Sequence, residues 1–206
     1  MSEKQKINIL WFTKDLRIRD NESLYRIMQE DLPFLAVYIF DKDFFKSKQF
    51  GFRKIGKFRA KFLLESVLDL EKSLDQKKIP FLKKFGKTQT VFKQISDLFE
   101  IEKIFCEKEW TQEEIDVENE IRTVLPTVKW SKSHSQFLLK PEFVEGKLET
   151  MPLLFTNFRQ KIEKDLEIRN EFISDELFYN KSLFDLKIKN DDITLKTLGF
   201  DDFESH

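Results

Sequence analysis

The chain has 206 residues and a net charge of −1 at pH 7, from 36 Lys and Arg against 37 Asp and Glu. This length suits one domain with a tail, and the near-neutral charge argues against a protein that binds nucleic acid through bulk electrostatics. Hydrophobic residues make up 40% and charged residues 35%, which excludes a disordered chain. Only 5 Gly and 5 Pro occur, which excludes collagen-like and low-complexity sequences, and the 23 Phe are interpreted as ordinary core residues.

Cysteine and histidine are too scarce for most metal sites. Cys106 is the only cysteine and the histidines are His134 and His206, so we expect neither an internal disulfide nor a metal site. No apolar run approaches the roughly 18–20 residues of a membrane span. The first residues lead into a strand rather than a signal peptide. The sequence therefore predicts a cytoplasmic protein.

Patterns typical of strands and helices alternate along the chain as far as about residue 130. The predicted strands are 7–12, 34–40, 80–85, 103–106 and 127–130. The predicted helices are 21–30, 57–76, 88–99, 111–124 and 155–167. Asp20 or Asn21 caps the first of these helices. A capping box of Thr111 and Glu114 begins the fourth.

Three finer predictions concern loops and packing. The strand 80–85 is predicted to lie near an edge of the sheet, because it begins with Pro80 and carries two lysines. A polar loop is expected after Asp41. The predicted apolar stripe of helix 57–76 is Phe58, Phe62, Leu63, Val67, Leu70 and Leu74.

The alternation predicts an α/β fold, a doubly wound, Rossmann-like, five-stranded parallel sheet with helices on both faces. In such sheets, ligands bind beyond the carboxyl ends of the strands, at the point where the strand order reverses. The candidate binding loops are therefore 13–15, 41–43, 107–111 and 131–134.

The common cofactor and catalytic fingerprints are missing. Residues 13–17, TKDLR, stand where a G-x-G-x-x-G turn would follow the first strand, and no G-x-x-x-x-G-K-[ST] or G-x-S-x-G sequence occurs. These absences argue against a dinucleotide-dependent dehydrogenase, a P-loop ATPase and an enzyme with a nucleophile elbow. The sequence around His134 shows no catalytic-triad pattern, so no catalytic side chain is assigned.

Glu107 and Glu109 follow the fourth predicted strand and permit two interpretations. Carboxylates are favourable at a helix N-terminus in any protein. Alternatively, one of them accepts N–H bonds from a planar heterocycle such as a pterin or a flavin, with Trp110 as a stacking wall or as a core residue. The stretch 53–61 places five cations among phenylalanines; a solvated helix face is favoured there over nucleic-acid contact.

Five segments together resemble the DNA photolyase/cryptochrome family, and their order and spacing agree over residues 7–168. Residues 11–24, WFTKDLRIRDNESL, resemble the family's opening W-F-R-N-D-L-R-x-x-D-N. Residues 109–118, EWTQEEIDVE, closely resemble the E-x-x-x-E-E-x-D-V-E run of the cryptochrome-DASH branch. The other similar segments are Tyr38–Asp41, Phe52–Ser66 and Phe155–Glu163.

The resemblance implies an α/β domain, residues 1–168, that binds a light-harvesting antenna such as methenyltetrahydrofolate, followed by a linker or tail, residues 169–206. In the family, a larger helical domain holds FAD and damaged DNA, and excited reduced FAD splits a cyclobutane pyrimidine dimer. We expect that FAD-binding domain to be absent from this chain, and the chain alone to be inactive. In the parent protein the helical domain would be its partner and its contact with DNA, with no role for a membrane.

The resemblance also implies an antenna site, because Glu109 matches the glutamate of the family that contacts the antenna. The other candidate antenna-binding residues are Cys106, Glu107, Trp110, Thr13 and Asp41. The chain departs from the family's pattern at Thr13 and Lys14 for Arg-Asn, Arg19 for His, Ile55 for Thr, and Lys108 for Gln or Arg. Thr13 and Lys14 directly follow the first strand, so we expect these two departures to affect the affinity for an antenna.

Two other functions stay open at this point. The chain is alternatively a free-standing nucleotide- or flavin-binding sensor, which an absorbing cofactor in the purified protein would favour. It is alternatively a scaffold for protein interaction, which a colourless, tight homodimer would favour.

Overall fold

The computed structural model describes residues 4–46, 51–137, 139, 141, 151–164, 166, 168–173, 179, 181, 188–201 and 203. Its strands are β1 Lys6–Phe12, β2 Phe34–Asp41, β3 Phe81–Gly86, β4 Glu100–Glu107 and β5 Lys129–Ser133. Its helices are α1 Glu22–Met28, α2 Lys42–Lys46, α3 Lys57–Gln76, α4 Thr88–Leu98, α5 Gln112–Val124 and α6 Phe155–Ile162.

The strands form one parallel sheet in the order β3-β2-β1-β4-β5. This topology confirms the predicted doubly wound α/β fold and places β3 at an edge, as its proline and lysines indicate. Because the chain winds outward from β1 in both directions, the strand order reverses between β1 and β4. The ends of these two strands lie side by side, with Trp11 paired to Cys106. The loops that follow them therefore border the crevice where such folds bind ligands.

The two faces of the sheet carry separate hydrophobic clusters. Leu10 and Phe12 of β1 pack in the cluster that includes α1 and α3. Ile9 and Trp11 of the same strand pack in the cluster that includes α4 and α5. This alternation is the period-two geometry of a strand, and burial of both faces explains why β1 and β2 are apolar at nearly every position.

The structure corrects the predicted apolar stripe of α3 at its first turns. Phe58 and Phe62 are 79% and 71% exposed, whereas Ala60 and Leu64 are buried. Residues two positions apart on a helix lie about 200° apart around its axis, so the two pairs occupy opposite faces. Further along, Val67, Leu70 and Leu74 are buried as predicted.

Several element boundaries also differ from the predictions; β4, for example, begins at Glu100 rather than at residue 103. The polar loop expected after Asp41 begins instead with the short helix α2. β5 lies further along the chain than predicted and ends at Ser133, because backbone bonding to β4 continues through polar residues. α6 ends at Ile162, short of the predicted residue 167.

Several described residues beyond 168 pack against the α/β sheet. The Tyr179 hydroxyl donates to the Phe34 carbonyl at 3.3 Å, and the Phe34 N–H lies 3.1 Å from the same hydroxyl. Ile193, Leu195 and Leu198 are buried in the cluster of α1 and α3. The division at residue 168 into domain and linker stays a prediction; the described part of the second segment adds to the core.

Candidate functional site

The loop after β1 is held by a buried carboxylate. Asp15 is 2% exposed and accepts the Thr13 backbone N–H at 3.0 Å and the Asn21 side-chain amide at 3.0 Å. Asn21 is the N-cap of α1, since its side-chain oxygen accepts from the Leu24 N–H. Burial raises the pKa of Asp15, and the charge of Glu107 adds to that rise, while the two hydrogen bonds oppose it. The loop is therefore fixed to the start of α1, and Thr13 and Lys14 are held at the mouth of the crevice.

Asp20, the other candidate cap, has a different role. Its carboxylate accepts a bidentate pair of bonds from Arg169, at 2.6 and 2.9 Å, and the Phe172 N–H at 3.0 Å. The Arg169 hydrogen bond lowers the pKa of Asp20. Asp20 thus joins the loop before α1 to the segment that follows α6.

Glu107 holds the loop after β5. Its carboxylate is 3% exposed and accepts the hydroxyls of Ser133 at 2.9 Å and Ser135 at 2.5 Å, and the Gln136 backbone N–H at 3.2 Å. These bonds satisfy the carboxylate without any ligand. The structure therefore gives Glu107 a positioning role, because it fixes the chain that carries Phe137.

Glu109 lies across the crevice from Lys14. The Lys14 ammonium is 3.1 Å from Oε2 of Glu109 and also contacts Glu114, which forms the predicted capping box with Thr111 at the start of α5. Burial acts to lower the pKa of Lys14, but its hydrogen bonds to Glu114 and Glu109 raise it overall. Burial acts to raise the pKa of Glu114, but the bonds from Lys14 and Thr111 lower it overall. This network joins the loop after β1 to the loop after β4.

Two buried polar atoms lie at the crevice, one on Glu109 and one on Thr13. Within the described residues, neither Oε1 of Glu109 nor Oγ1 of Thr13 has a hydrogen-bond partner. A buried polar atom that makes no hydrogen bond costs about 1–3 kcal/mol, so native proteins rarely leave one unless function requires it. A ligand with an N–H group facing Glu109 would remove this cost. The residues present thus fit a planar heterocycle with N–H donors.

Trp110 provides an aromatic surface beside Glu109. Its ring is 40% exposed and lies 5.9 Å from the Phe137 ring and 5.7 Å from the His134 ring, centroid to centroid. The Lys108 ammonium is 4.2 Å from the centre of the Trp110 ring. Trp110 is therefore half-exposed at the site rather than a core residue, and its indole can stack against a ligand.

Two other candidate antenna residues make packing or capping contacts within the protein. Cys106 is 2% exposed in the cluster of α4 and α5, and burial raises the pKa of its thiol. Asp41 accepts the Thr88 backbone N–H at 3.0 Å and the Thr88 hydroxyl at 2.6 Å. It therefore secures the first turn of α4 beside β3. Thr13, Glu109 and Trp110 lie in the loops that border the crevice. Glu107 is buried next to them and holds the loop after β5.

A cleft that the sequence did not predict lies next to this crevice. Its volume is about 180 Å³, and its lining includes the Asp20–Arg169 pair together with Ser135, Gln136, Phe137, Ile168 and Glu171. Phe137 borders both the cleft and Trp110. The cleft depends on contacts between distant segments, so no local pattern could have revealed it.

The part of the chain that the structure describes has neither a cluster of metal-ligating side chains nor a membrane-spanning helix. There, His, Cys, Asp and Glu side chains form no group of three or more that could hold a metal ion. No helix in that part is long and apolar enough to cross a membrane.

The comparisons with known proteins agree with this architecture. A family model described as DNA photolyase matches residues 8–176. Cryptochrome DASH from Gloeobacter violaceus is 33% identical over 169 residues, which are 79% of this chain and 33% of that protein. The crystal structure of a Synechocystis cryptochrome matches with a TM-score of 0.76 at 33% identity, over 82% of this chain and 36% of that chain.

A photolyase of lower identity shows the same fold. The structure of the archaeal photolyase from Sulfolobus tokodaii, solved with two FAD molecules, has a TM-score of 0.65 at 21% identity, over 79% of this chain and 36% of that chain. The chain thus spans about a third of the length of the relatives that it matches. The family model matches most of the residues of this chain, and the Synechocystis cryptochrome has the same fold. The chain therefore belongs to the DNA photolyase/cryptochrome family.

Proposed function

We propose that this chain is the antenna-binding α/β domain of a photolyase- or cryptochrome-like flavoprotein. The observation that carries the proposal concerns Oε1 of Glu109, which is buried and has no hydrogen-bond partner among the described residues. Glu109 follows β4 at the crevice between β1 and β4, and the next residue is the half-exposed Trp110. An acceptor next to an aromatic face is what a planar chromophore with N–H donors requires.

The function of such a site is photophysical. A bound antenna supplies light absorption and passes excitation to FAD, while the protein fixes its position and excludes water. In this chain Glu109 would accept an N–H, Trp110 would stack on the ring, and Glu107 and Asp15 would hold the surrounding loops. Methenyltetrahydrofolate is the antenna that the family resemblance implies, and the Sulfolobus tokodaii photolyase with two FAD molecules supports a flavin as another candidate.

The partner in this proposal is a helical FAD-binding domain, through which damaged DNA would be bound. Its support is that the matched relatives are about three times as long as the aligned region. Exposed apolar side chains at the start of α6 give further support: Leu153 is fully exposed, and Leu154 and Phe155 are 67% and 72% exposed. Clustered apolar residues of this kind commonly mark a contact with another protein or domain.

The proposal is tested by the substitution Glu109→Gln with methenyltetrahydrofolate as ligand. Loss of one charge-assisted hydrogen bond is worth about 1.5–3 kcal/mol, so we expect at least tenfold weaker binding in a fluorescence titration. The urea midpoint should stay close to that of the wild type. The matched control is Glu113→Gln, because Glu113 is exposed and pairs with Lys54 outside the crevice. Equal affinity of the Glu109→Gln and wild-type chains would remove Glu109 from the site.

A further inference from the structure

Lys14 determines what the Glu109 carboxylate offers to a ligand. The Lys14 ammonium lies 3.1 Å from Oε2 of Glu109, so that oxygen already accepts a charge-assisted bond. Oε1 of the same carboxylate is buried and has no partner among the described residues. A ligand that displaces the side chains covering Oε1 would therefore find one unused acceptor rather than a symmetric pair.

The ammonium group adds a donor next to that acceptor. Lysine has three N–H donors, and two of those of Lys14 are directed to Glu109 and Glu114. Since Lys14 also keeps Glu114 as a partner, it stays in place when a ligand approaches Glu109. The crevice thus presents an acceptor, Oε1 of Glu109, beside a donor, the third N–H of Lys14.

Planar chromophores differ in the order of hydrogen-bond donors and acceptors along their ring edges. The amino-lactam edge of a pterin carries two adjacent N–H donors, which match both oxygens of a free carboxylate. The imide edge of a flavin carries one N–H between two carbonyl groups, which matches an acceptor with a donor beside it. An unmatched donor facing an ammonium group is unfavourable, because neither group can accept.

We propose that Lys14 is a specificity-determining residue of this site and directs it toward heterocycles with an imide edge, such as flavins, rather than toward pterins. This inference rests on the proposed function, since it concerns the ligand of the same crevice. It extends that function by assigning the choice of ligand to a residue that departs from the family's pattern.

The test compares two neutral ring systems that carry no anionic tail, lumiflavin and a methylpterin, by fluorescence titration. Lys14→Met keeps the side-chain length but removes the donor and frees both oxygens of Glu109. We expect the wild-type chain to bind lumiflavin more tightly, and Lys14→Met to shift the affinity ratio about tenfold toward the pterin, which corresponds to one charge-assisted bond. Lumiflavin methylated at its imide nitrogen should lose affinity for the wild type.

The control is Lys93→Met, which removes an equally exposed lysine from its pair with Asp97 on α4. It should leave the ratio unchanged, and circular dichroism should show that each variant is folded. An unchanged ratio in Lys14→Met, with both rings still bound through Glu109, overturns the inference and leaves the proposed function standing. Failure of the wild-type chain to bind either ring overturns both.

Discussion

The carboxylate of Asp191 accepts the backbone N–H of Phe85 at 2.9 Å, although 106 positions separate the two residues. Asp191 also donates its own N–H to the Lys83 carbonyl at 3.0 Å, and the Asn190 side-chain oxygen accepts the Lys83 N–H at 2.8 Å. Lys83 and Phe85 are residues of β3 whose backbone groups face away from β2. Asn190 and Asp191 therefore bond to the free edge of the sheet as a further strand would.

Removing these two side chains should weaken the fold at its edge. In the double variant Asn190→Ala, Asp191→Ala, the N–H groups of Lys83 and Phe85 lose their side-chain acceptors. Each such bond is worth about 0.5–1.5 kcal/mol, so we expect the free energy of unfolding to fall by roughly 1–3 kcal/mol. Urea denaturation followed by circular dichroism measures this change.

The same variant should also self-associate, because an open strand edge is a template for pairing with another chain. Sedimentation at increasing concentration would detect this. Asp192→Ala is the matched control, since Asp192 is the exposed neighbour of Asp191. If the double variant and the control have the same urea midpoint, the contacts at the β3 edge contribute nothing measurable.

The sequence predicted the sheet well because the relevant signals are local. The apolar runs of β1 and β2, the caps of α1 and α5, and the proline and lysines of β3 lie within each element. The buried face of α3, by contrast, could not be predicted from the sequence of the helix alone. Phe58 and Phe62 are more hydrophobic than Ala60, yet Ala60 is buried, because only the packed sheet determines which side of the helix faces inward.

The candidate site was predictable in part for the same reason. Position after a strand was enough to place Thr13, Glu109 and Trp110 at the crevice. The distribution of hydrogen bonds was not predictable: Ser133 and Ser135 satisfy Glu107, and Lys14 takes one oxygen of Glu109. These partners come from separate loops, and no pattern within either loop indicates them.

The Asp20–Arg169 pair should be lost in acid. The Arg169 hydrogen bond lowers the pKa of Asp20 in the folded chain. A carboxyl with a depressed folded pKa contributes stability that is present above its unfolded value, about 3.9, and is lost as the pH falls through the lower folded value. Because the Phe172 N–H donates to Asp20 at 3.0 Å, the amide shift of Phe172 in an NMR titration should report this step below the ordinary pKa.

Asp20→Asn should abolish that titration step and increase hydrogen exchange at residues 168–173. The control is Asp69→Asn, which changes an exposed carboxyl on α3. A Phe172 midpoint at or above the ordinary aspartate value would contradict the assignment of Asp20 as the anchor of this segment.

Cys106 should be unreactive in the folded chain. Its thiol is buried on β4, and burial raises its pKa, so little of the reactive thiolate forms at neutral pH. A chromogenic disulfide reagent should label it only at the rate of unfolding and should label it fully in concentrated urea. Rapid labelling of the native protein would show that the end of β4 opens without global unfolding.

The chain alone should neither bind DNA tightly nor repair it. Its net charge is −1, and three of the five cations in the stretch 53–61 are already used within the protein: Arg53 donates to the Gly199 carbonyl, while Lys54 and Lys61 pair with carboxylates. Five well-placed phosphate contacts would give a salt slope of about −4.5, and contacts already used within the protein give much less.

The measurement mixes the purified chain with a labelled oligonucleotide that contains a cyclobutane pyrimidine dimer, under blue light and reductant. The undamaged oligonucleotide is the control. We expect no affinity tighter than about 10⁻⁶ M at physiological salt, which is the range of non-specific association. We also expect no loss of the dimer, since in the proposed function the electron donor, FAD, would be held by the helical partner domain. Dimer loss, or tighter binding that weakens steeply with salt, would instead assign DNA contact to the basic and aromatic face at the start of α3.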